Sequence, residues 1–172
     1  MLPHLIMASS CLFMTAMPKA VTELIIVRLK KKLTVITNSI ENLLELSDVS
    51  GWDVISTGGI LKAGSMSLLG NRAAESIQRY NADKVFLSCK GVDLLKGVTE
   101  SHDETASIKQ SMIESAKKVY LTVDSSKFDK VAFSIICPLN KIDVVVTDKK
   151  PDAKWMEAFR RFNIQCLYPK EI

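Results

Sequence analysis

Four short polar segments of this sequence each follow an apolar run, and their side chains are of types that bind ligands. The first segment is Thr37, Asn38 and Ser39. These residues can cap the helix that follows, or bind an anion together with the free N–H groups of that helix; taken alone, the segment favours capping. The second segment holds Gly58 and Gly59. This pair either lets a ligand approach the backbone closely or forms a plain turn.

The third segment combines a carboxylate, two hydroxyls and an ammonium group. Such a set can hold the hydroxyls and the phosphate of one ligand together, with the lysine acting as a compact point charge. An Asx-type turn explains the same residues about as well. The residues are Asp124, Ser125, Ser126 and Lys127.

The fourth segment is dispersed along the chain. Lys90 stands after an apolar run, Glu104 falls in the first turn of a predicted helix, and Lys109 follows five residues later. That spacing does not suit a helical ion pair between Glu104 and Lys109, so Asp103 and Thr105 are the partners to consider for the lysine. Lys109 interrupts an apolar stripe, which indicates a specific role, although an exposed position on the side of the helix is slightly favoured.

The four segments together indicate a pocket rich in donors and cations. We assign no histidine to any of them, and titratable bases are few. This composition suits the binding of a phosphorylated polyol better than acid–base catalysis, although a carboxylate could still act as a base.

The elements that must position these residues alternate along the chain. Short apolar runs rich in β-branched residues predict strands covered on both faces, and stripes at helical spacing lie between them. The pattern predicts an α/β fold with a mostly parallel sheet and helices on both faces, whose ligands bind at the carboxyl ends of the strands. The predicted strands are Leu5–Met7, Leu33–Ile36, Val54–Ser56, Val85–Ser88, Val119–Val123, Phe133–Cys137, Val144–Thr147 and Ile164–Leu167; the predicted helices are Ile40–Leu46, Arg72–Tyr80, Thr105–Lys117 and Pro151–Phe162.

Composition excludes several other classes of protein. The chain has 172 residues with 47% hydrophobic content, enough for one domain with a real core, and its net charge of +4 is too small to indicate nucleic-acid binding. Its four cysteines are widely spaced, so we expect neither a metal site nor a cofactor. The apolar start has no Lys or Arg before Lys19 and no membrane-spanning run follows, so we expect a cytoplasmic protein.

The order of the motifs resembles the C-terminal sensor domain of DeoR-family transcription repressors. The resemblance rests on a combination of motifs from Leu33 to the end of the chain. These are LTVITNS (33–39), STGGILKAGSMSLLG (56–70), ADKVFLSCKGVDLLKGVTES (82–101), ETASIKQSMI (104–113), VDSSKFDKVAF (123–133) and IDVVVTD (142–148).

The resemblance implies a fold like ribose-5-phosphate isomerase and the CoA transferases, and a pocket for a phosphorylated sugar. It also implies that the ligand controls DNA binding by an N-terminal helix-turn-helix domain, which we do not expect in the residues before Leu33, and that the protein is a homo-oligomer. We treat 1–172 as one sensing domain in which 1–32 is atypical or truncated. Ala8 stands where the family's first loop carries an acid, and Lys90 also replaces an acid. The implied pocket contains Ser9, Ser10, Thr37, Asn38, Ser39, Gly58, Gly59, Lys90, Glu104, Lys109, Asp124, Ser125, Ser126 and Lys127.

Three hypotheses of function follow. The leading one is a ligand-sensing regulatory domain without catalysis. The second is a sugar-phosphate aldose–ketose isomerase, with Glu104 or Asp124 as the base and Lys127 or Lys109 polarising the carbonyl. The third is an oligomerisation module whose pocket has degenerated, which the alanine at position 8 suggests.

Overall fold

The computed structural model describes residues 11–16 and 32–169. Within them lie twelve strands, four α-helices and three short 3-10 turns. The strands are β1 Cys11–Met14, β2 Leu33–Thr37, β3 Trp52–Ser56, β4 Ile60–Lys62, β5 Ser67–Leu69, β6 Lys84–Leu87, β7 Gly91–Asp93, β8 Gly97–Glu100, β9 Val119–Thr122, β10 Ser134–Cys137, β11 Val144–Val146 and β12 Gln165–Leu167. The helices are α1 Ile40–Leu46, α2 Asn71–Gln78, α3 Asp103–Glu114 and α4 Ala153–Arg161; the 3-10 turns are Ala63–Ser65, Ser125–Lys127 and Leu139–Lys141.

Seven strands form one parallel sheet in the order β12-β11-β9-β6-β1-β2-β3. Its interior strand β1 sends Phe13 into one core and Leu12 and Met14 into another, because successive side chains of a strand point to opposite faces. Helices α2, α3 and α4 cover the first face, and Leu46 of α1 packs on the second. The predicted α/β class, with a mostly parallel sheet and helices on both faces, is confirmed.

The strand order reverses between β1 and β6. The chain runs from β1 through β2 to β3 in one direction, and β6, β9, β11 and β12 extend the sheet in the other. Open α/β sheets bind ligands at such a reversal, in a crevice at the carboxyl ends of the strands. Thr15 and Ser88 stand at this reversal, and the Ser88 N–H donates to Thr15 Oγ1 over 3.2 Å.

The predicted strand near residues 133–137 belongs to a different sheet from the one we expected. We expected it in the parallel sheet, but β10 pairs antiparallel with β8, and β8 with β7, in a separate three-stranded sheet. Phe133 is 86% exposed and Ile135 is 49% exposed, so this apolar run is covered on one face only. Apolar composition alone does not distinguish such a strand from one buried on both faces.

Short strands account for the other differences. The predicted strand Leu5–Met7 lies outside the described residues, whereas Cys11–Met14, which we did not predict, forms the interior strand β1. The two hairpins β4–β5 and β7–β8 were also not predicted; their strands have three or four residues, and β4 is exposed along its whole length. The predicted strand Ile164–Leu167 is confirmed as β12.

Gly97 is expected to tolerate no side chain. Its φ is +76°, and a Cβ added there would overlap the carbonyl oxygen of Cys137. Gly51 also has a positive φ, +84°, but a Cβ there would meet nothing within 4 Å. We expect Gly97→Ala to lower the free energy of unfolding by about 1–3 kcal/mol more than Gly51→Ala. Both variants have the backbone strain of a positive φ, and the overlap adds to it at position 97 only. Urea denaturation of both variants measures this difference, and equal losses would contradict the packing described.

Candidate functional site

A cavity of about 1130 Å³ lies at the carboxyl ends of β1, β2, β6, β9 and β11. The β4–β5 hairpin and the start of α3 complete the part of its wall that the structure describes. It is at the position that the strand order predicts, and it is large enough for a small organic ligand.

The structure brings five of the proposed pocket residues together in the wall of this cavity. They come from three of the four sequence segments, so these three converge, whereas the segment with Gly58 and Gly59 does not reach the wall. The five are Asn38, Lys90, Lys109, Asp124 and Lys127. Thr37, Ser39, Gly58, Gly59, Glu104, Ser125 and Ser126 do not line the cavity, and Ser9 and Ser10 lie outside the described residues.

Thr37 and Ser39 hold the end of β2 and the start of α1. Thr37 Oγ1 donates to the carbonyl of Met14 over 2.7 Å and accepts from the Ser39 N–H over 3.1 Å. Ser39 Oγ accepts from the Asn42 N–H over 3.3 Å and so caps α1. Both side chains are fully buried. Their contacts are those of helix capping rather than of anion binding.

Asn38 differs from both neighbours because one atom of its side chain has no hydrogen-bond partner in the part of the chain that the structure describes. Its Nδ2 donates to the carbonyl of Leu68 over 3.2 Å. Its Oδ1 is buried and accepts no hydrogen bond from any residue that the structure describes. Asn38 is only 3% exposed and lines the cavity. Buried polar atoms in folded proteins are nearly always hydrogen-bonded, so this oxygen is suited to a donor from a bound molecule.

Lys109 forms a buried ion pair at the cavity wall. Its Nζ lies 2.5 Å from Glu100 Oε2 and 2.9 Å from the carbonyl oxygen of Ser88. Side-chain exposure is 7% for the lysine and 5% for the glutamate. The favoured expectation of an exposed lysine is therefore wrong, and its acidic partner is Glu100 rather than Asp103. Glu100 ends β8 beside α3, and this contact could not be anticipated without the β7–β8 hairpin.

Glu104 does not line the cavity. Its carboxylate pairs with Lys62 over 3.1 Å, and the glutamate side chain is 64% exposed. The pair links α3 to the β4–β5 hairpin, whose Lys62 lines the cavity. Gly59 is needed for the backbone rather than for the cavity. Its φ is +106°, and a Cβ there would come within 2.5 Å of the carbonyl oxygen of Leu69.

The segment 124–127 is both a turn and part of the wall. Asp124 Oδ1 accepts from the Ser126 N–H over 2.9 Å and also from the Ser126 hydroxyl. Lys127 Nζ lies 3.8 Å from Asp124 Oδ2, while Ser125 binds Asp148 through its N–H and its hydroxyl. The two interpretations of this segment are thus compatible: the serines hold the turn, and Asp124 and Lys127 face the cavity.

The Asp124 carboxylate is stabilised chiefly by the Ser126 side chain, which lowers the pKa of Asp124 below its ordinary value. Ser126→Ala is expected to raise that pKa toward the ordinary value. The charged carboxylate stabilises the fold above its ordinary pKa, and this contribution disappears as pH falls through the lowered pKa. An NMR pH titration of the carboxyl carbon measures the change. Ser125→Ala, which removes a contact to Asp148 instead, serves as control; a pKa that is the same in both variants would contradict the assignment.

Lys90 supplies an unpaired cation. Among the described lysines of the wall, Lys62, Lys109 and Lys127 each have a carboxylate within 4 Å, and Lys90 has none. It is exposed to the solvent of the cavity mouth. Free of competition from an acid, its ammonium group is suited to an anionic part of a ligand.

Sequence reasoning missed several residues of the wall. The expectation that no histidine lies at the pocket is wrong, because His102 precedes α3 and lines the cavity. Thr15 and Ser88 also line it. Cys89 does so as well, but burial raises the pKa of its thiol to about 12, so it is not a thiolate nucleophile at neutral pH. The position of His102 between an unpredicted strand and α3 gave no signal in the sequence.

Comparison with known proteins identifies the family of this chain. Residues 6–149 match the family described as DeoR C terminal sensor domain. The chain belongs to this family. It is 41% identical over 127 residues to the uncharacterized HTH-type transcriptional regulator YulB of Bacillus subtilis, covering 74% of this chain and 49% of that protein. It is 34% identical over 120 residues to the L-fucose operon activator of Haemophilus influenzae, covering 69% of this chain and 48% of that protein.

The DeoR sensor chain therefore spans about half the length of these relatives, both of which are named as transcription regulators. Among solved structures, eIF2B delta from Chaetomium thermophilum is similar with a TM-score of 0.57 and 14% identity, covering 84% of this chain and 51% of that one. That likeness concerns the fold alone. Within residues 11–16 and 32–169, no helix is long and apolar enough to cross a membrane, and no group of three or more His, Cys, Asp or Glu could hold a metal ion.

Proposed function

We propose that this domain binds a phosphorylated sugar in the cavity at the carboxyl ends of the sheet, and that ligand occupancy controls DNA binding by an N-terminal domain. Membership of a sensor-domain family and relatives that are transcription regulators support this proposal. The L-fucose operon activator connects one relative to sugar metabolism by its name. DNA and sugar phosphates share the cytoplasm, which is where we place the protein.

One observation carries the proposal: the same cavity holds an unpaired cation and an unpaired buried acceptor. Lys90 offers an ammonium group without an acidic partner, and Asn38 Oδ1 lacks a donor among the described residues. A phosphate satisfies the first, and a sugar hydroxyl satisfies the second. Asp124 and Lys127 add polar groups between which further hydroxyls can bind.

A thermal-shift titration with a panel of pentose and hexose phosphates tests the proposal. A ligand present at 100 times its dissociation constant should stabilise the fold by about 2.7 kcal/mol. We expect at least one phosphate to raise the melting temperature and its unphosphorylated sugar to have no effect at the same concentration. Absence of any shift across the panel would contradict the proposal.

An isomerase remains the second candidate because Glu100 places a buried carboxylate beside Lys109 at the wall. Glu104, the base considered from the sequence, does not line the cavity. The sensor proposal expects binding without turnover for every member of the panel. Conversion of an aldose phosphate to a ketose phosphate that disappears in Glu100→Gln or Asp124→Asn would favour the isomerase instead.

Regulators that read palindromic operators need two-fold symmetry, so we also propose that the protein works as a homo-oligomer. Several large apolar side chains are available for contact between copies; Leu95 is 94% exposed and Ile60 is 75% exposed. A pure oligomerisation module with a degenerate pocket would form the same assembly and bind no member of the sugar-phosphate panel.

A further inference from the structure

The orientation of Asn38 is set by the neighbouring hairpin. Its backbone carbonyl accepts from the Leu68 N–H over 2.7 Å, and its Nδ2 donates to the Leu68 carbonyl over 3.2 Å. A flipped amide would place Oδ1 against that carbonyl oxygen, with two acceptors face to face. The amide nitrogen is therefore held on Leu68, and Oδ1 is left as a fixed acceptor.

Burying Oδ1 without a hydrogen-bond donor costs free energy, and a bound molecule that supplies a donor removes this cost. Asn38 is 3% exposed, and Oδ1 has no partner among the residues that the structure describes. A carboxylate or a fully ionised phosphate ester offers only acceptors and would be repelled from it. A hydroxyl or an amino group offers the O–H or N–H that the oxygen lacks.

The cation of the site lies at a distance from this acceptor. Asn38 follows β2 and Lys90 follows β6, and these strands are two positions apart in the order β6-β1-β2. With about 4.8 Å between neighbouring strands, the two connections are separated by about 10 Å. Thr15 and Ser88, which directly follow the strands β1 and β6, are hydrogen-bonded to each other. One ligand that satisfies both ends must carry its donor several atoms away from its anionic group.

We propose that Asn38 is the specificity-determining residue of the site and that its Oδ1 accepts from a hydroxyl or amino group at the end of the ligand remote from the phosphate. This inference rests on the proposed function and narrows it. The ligand class is an extended polyol or amino-sugar phosphate of five or more carbon atoms. Inorganic phosphate is too small to reach this acceptor while it binds the cation about 10 Å away.

The test is the affinity for a sugar phosphate divided by the affinity for inorganic phosphate. Isothermal titration calorimetry gives the dissociation constants of inorganic phosphate and of the tightest-binding member among ribose 5-phosphate, fructose 6-phosphate, glucose 6-phosphate and glucosamine 6-phosphate. Asn38→Leu keeps the approximate side-chain size but removes the acceptor. We expect this variant to bind the sugar phosphate about tenfold more weakly, because one hydrogen bond to a buried acceptor is lost. Its affinity for inorganic phosphate should be unchanged.

Two further variants separate recognition from folding. Asn38→Gln keeps both the amide donor for the Leu68 carbonyl and the oxygen acceptor, so the ratio of the two affinities should lie nearer to that of the wild type than to that of Asn38→Leu. Asn42→Leu is the matched control, because Asn42 is an equally buried amide whose Nδ2 donates to the Thr15 carbonyl and the Thr37 hydroxyl. It should lower the melting temperature and preserve the ratio. Asn38→Ala replaces Asn38→Leu should the leucine variant not fold.

The outcomes distinguish this inference from the proposed function. A ratio that falls about tenfold only when the oxygen is lost supports the role of Asn38. A ratio unchanged in Asn38→Leu, or lowered equally in Asn42→Leu, overturns that role while ligand binding stands. If neither inorganic phosphate nor any sugar phosphate binds the wild type, the proposed function fails, and this inference fails with it.

Discussion

Replacing Lys109 with methionine is expected to lower the free energy of unfolding by about 3–5 kcal/mol, because the change leaves the Glu100 carboxylate buried without its partner. The pair has its nitrogen and oxygen 2.5 Å apart, and both side chains are less than a tenth exposed. Methionine has a similar length and no charge, so the lost packing is small. Urea denaturation of the ligand-free domain measures the loss.

A surface pair and a double variant provide the controls. Lys117 pairs with Asp83 over 3.0 Å, but its side chain is 73% exposed, so Lys117→Met should cost only about 0–1 kcal/mol. Combining Lys109→Met with Glu100→Gln removes both buried charges and should recover most of the loss. A Lys109→Met variant as stable as Lys117→Met would show that the pair is not buried as described.

Lys90→Ala is expected to weaken the binding of a sugar phosphate by about 10- to 100-fold. This range corresponds to the loss of a charge-assisted hydrogen bond of about 1.5–3 kcal/mol. The free energy of unfolding should hardly change, since Lys90 is exposed and has no acidic partner among the described residues. Calorimetric titration gives the affinity, and denaturation of the same sample gives the stability.

The matched control for Lys90 is Lys96. The two lysines precede Gly91 and Gly97 and so flank the same short strand, β7, but Lys96 does not line the cavity. Lys96→Ala should bind the sugar phosphate like the wild type. Equal loss of affinity in both variants would point to a general effect of net charge, and an unchanged affinity in Lys90→Ala would remove this lysine from the phosphate site.

The large sheet could be predicted because its strands obey a simple pattern. Continuous apolar runs such as those around residues 85–88 and 119–123 are buried on both faces, and that pattern indicates parallel strands. The run around residues 133–137 has the same composition, but its strand β10 belongs to the antiparallel sheet. Local composition does not contain the partner of a strand, so this assignment needed the tertiary structure.

The site was predictable where polar residues directly end a strand of the large sheet. Asn38, Lys90 and Asp124 follow β2, β6 and β9, and all three line the cavity. Glu100 and His102 depend instead on the β7–β8 hairpin, which places them beside α3. Their contribution could not be read from spacing along the chain, because it arises from pairing between two short strands.

Calorimetric titration of the wild-type domain with a sugar phosphate and with its unphosphorylated sugar tests the central claim most directly. The pair should be chosen from the phosphate that gives the largest thermal shift. We expect saturable binding of the phosphate with one site per chain, and at least a tenfold weaker interaction with the free sugar because it lacks the anion that Lys90 binds. Equal affinity for both compounds, or no heat from either, would contradict a cavity that senses phosphorylated sugars.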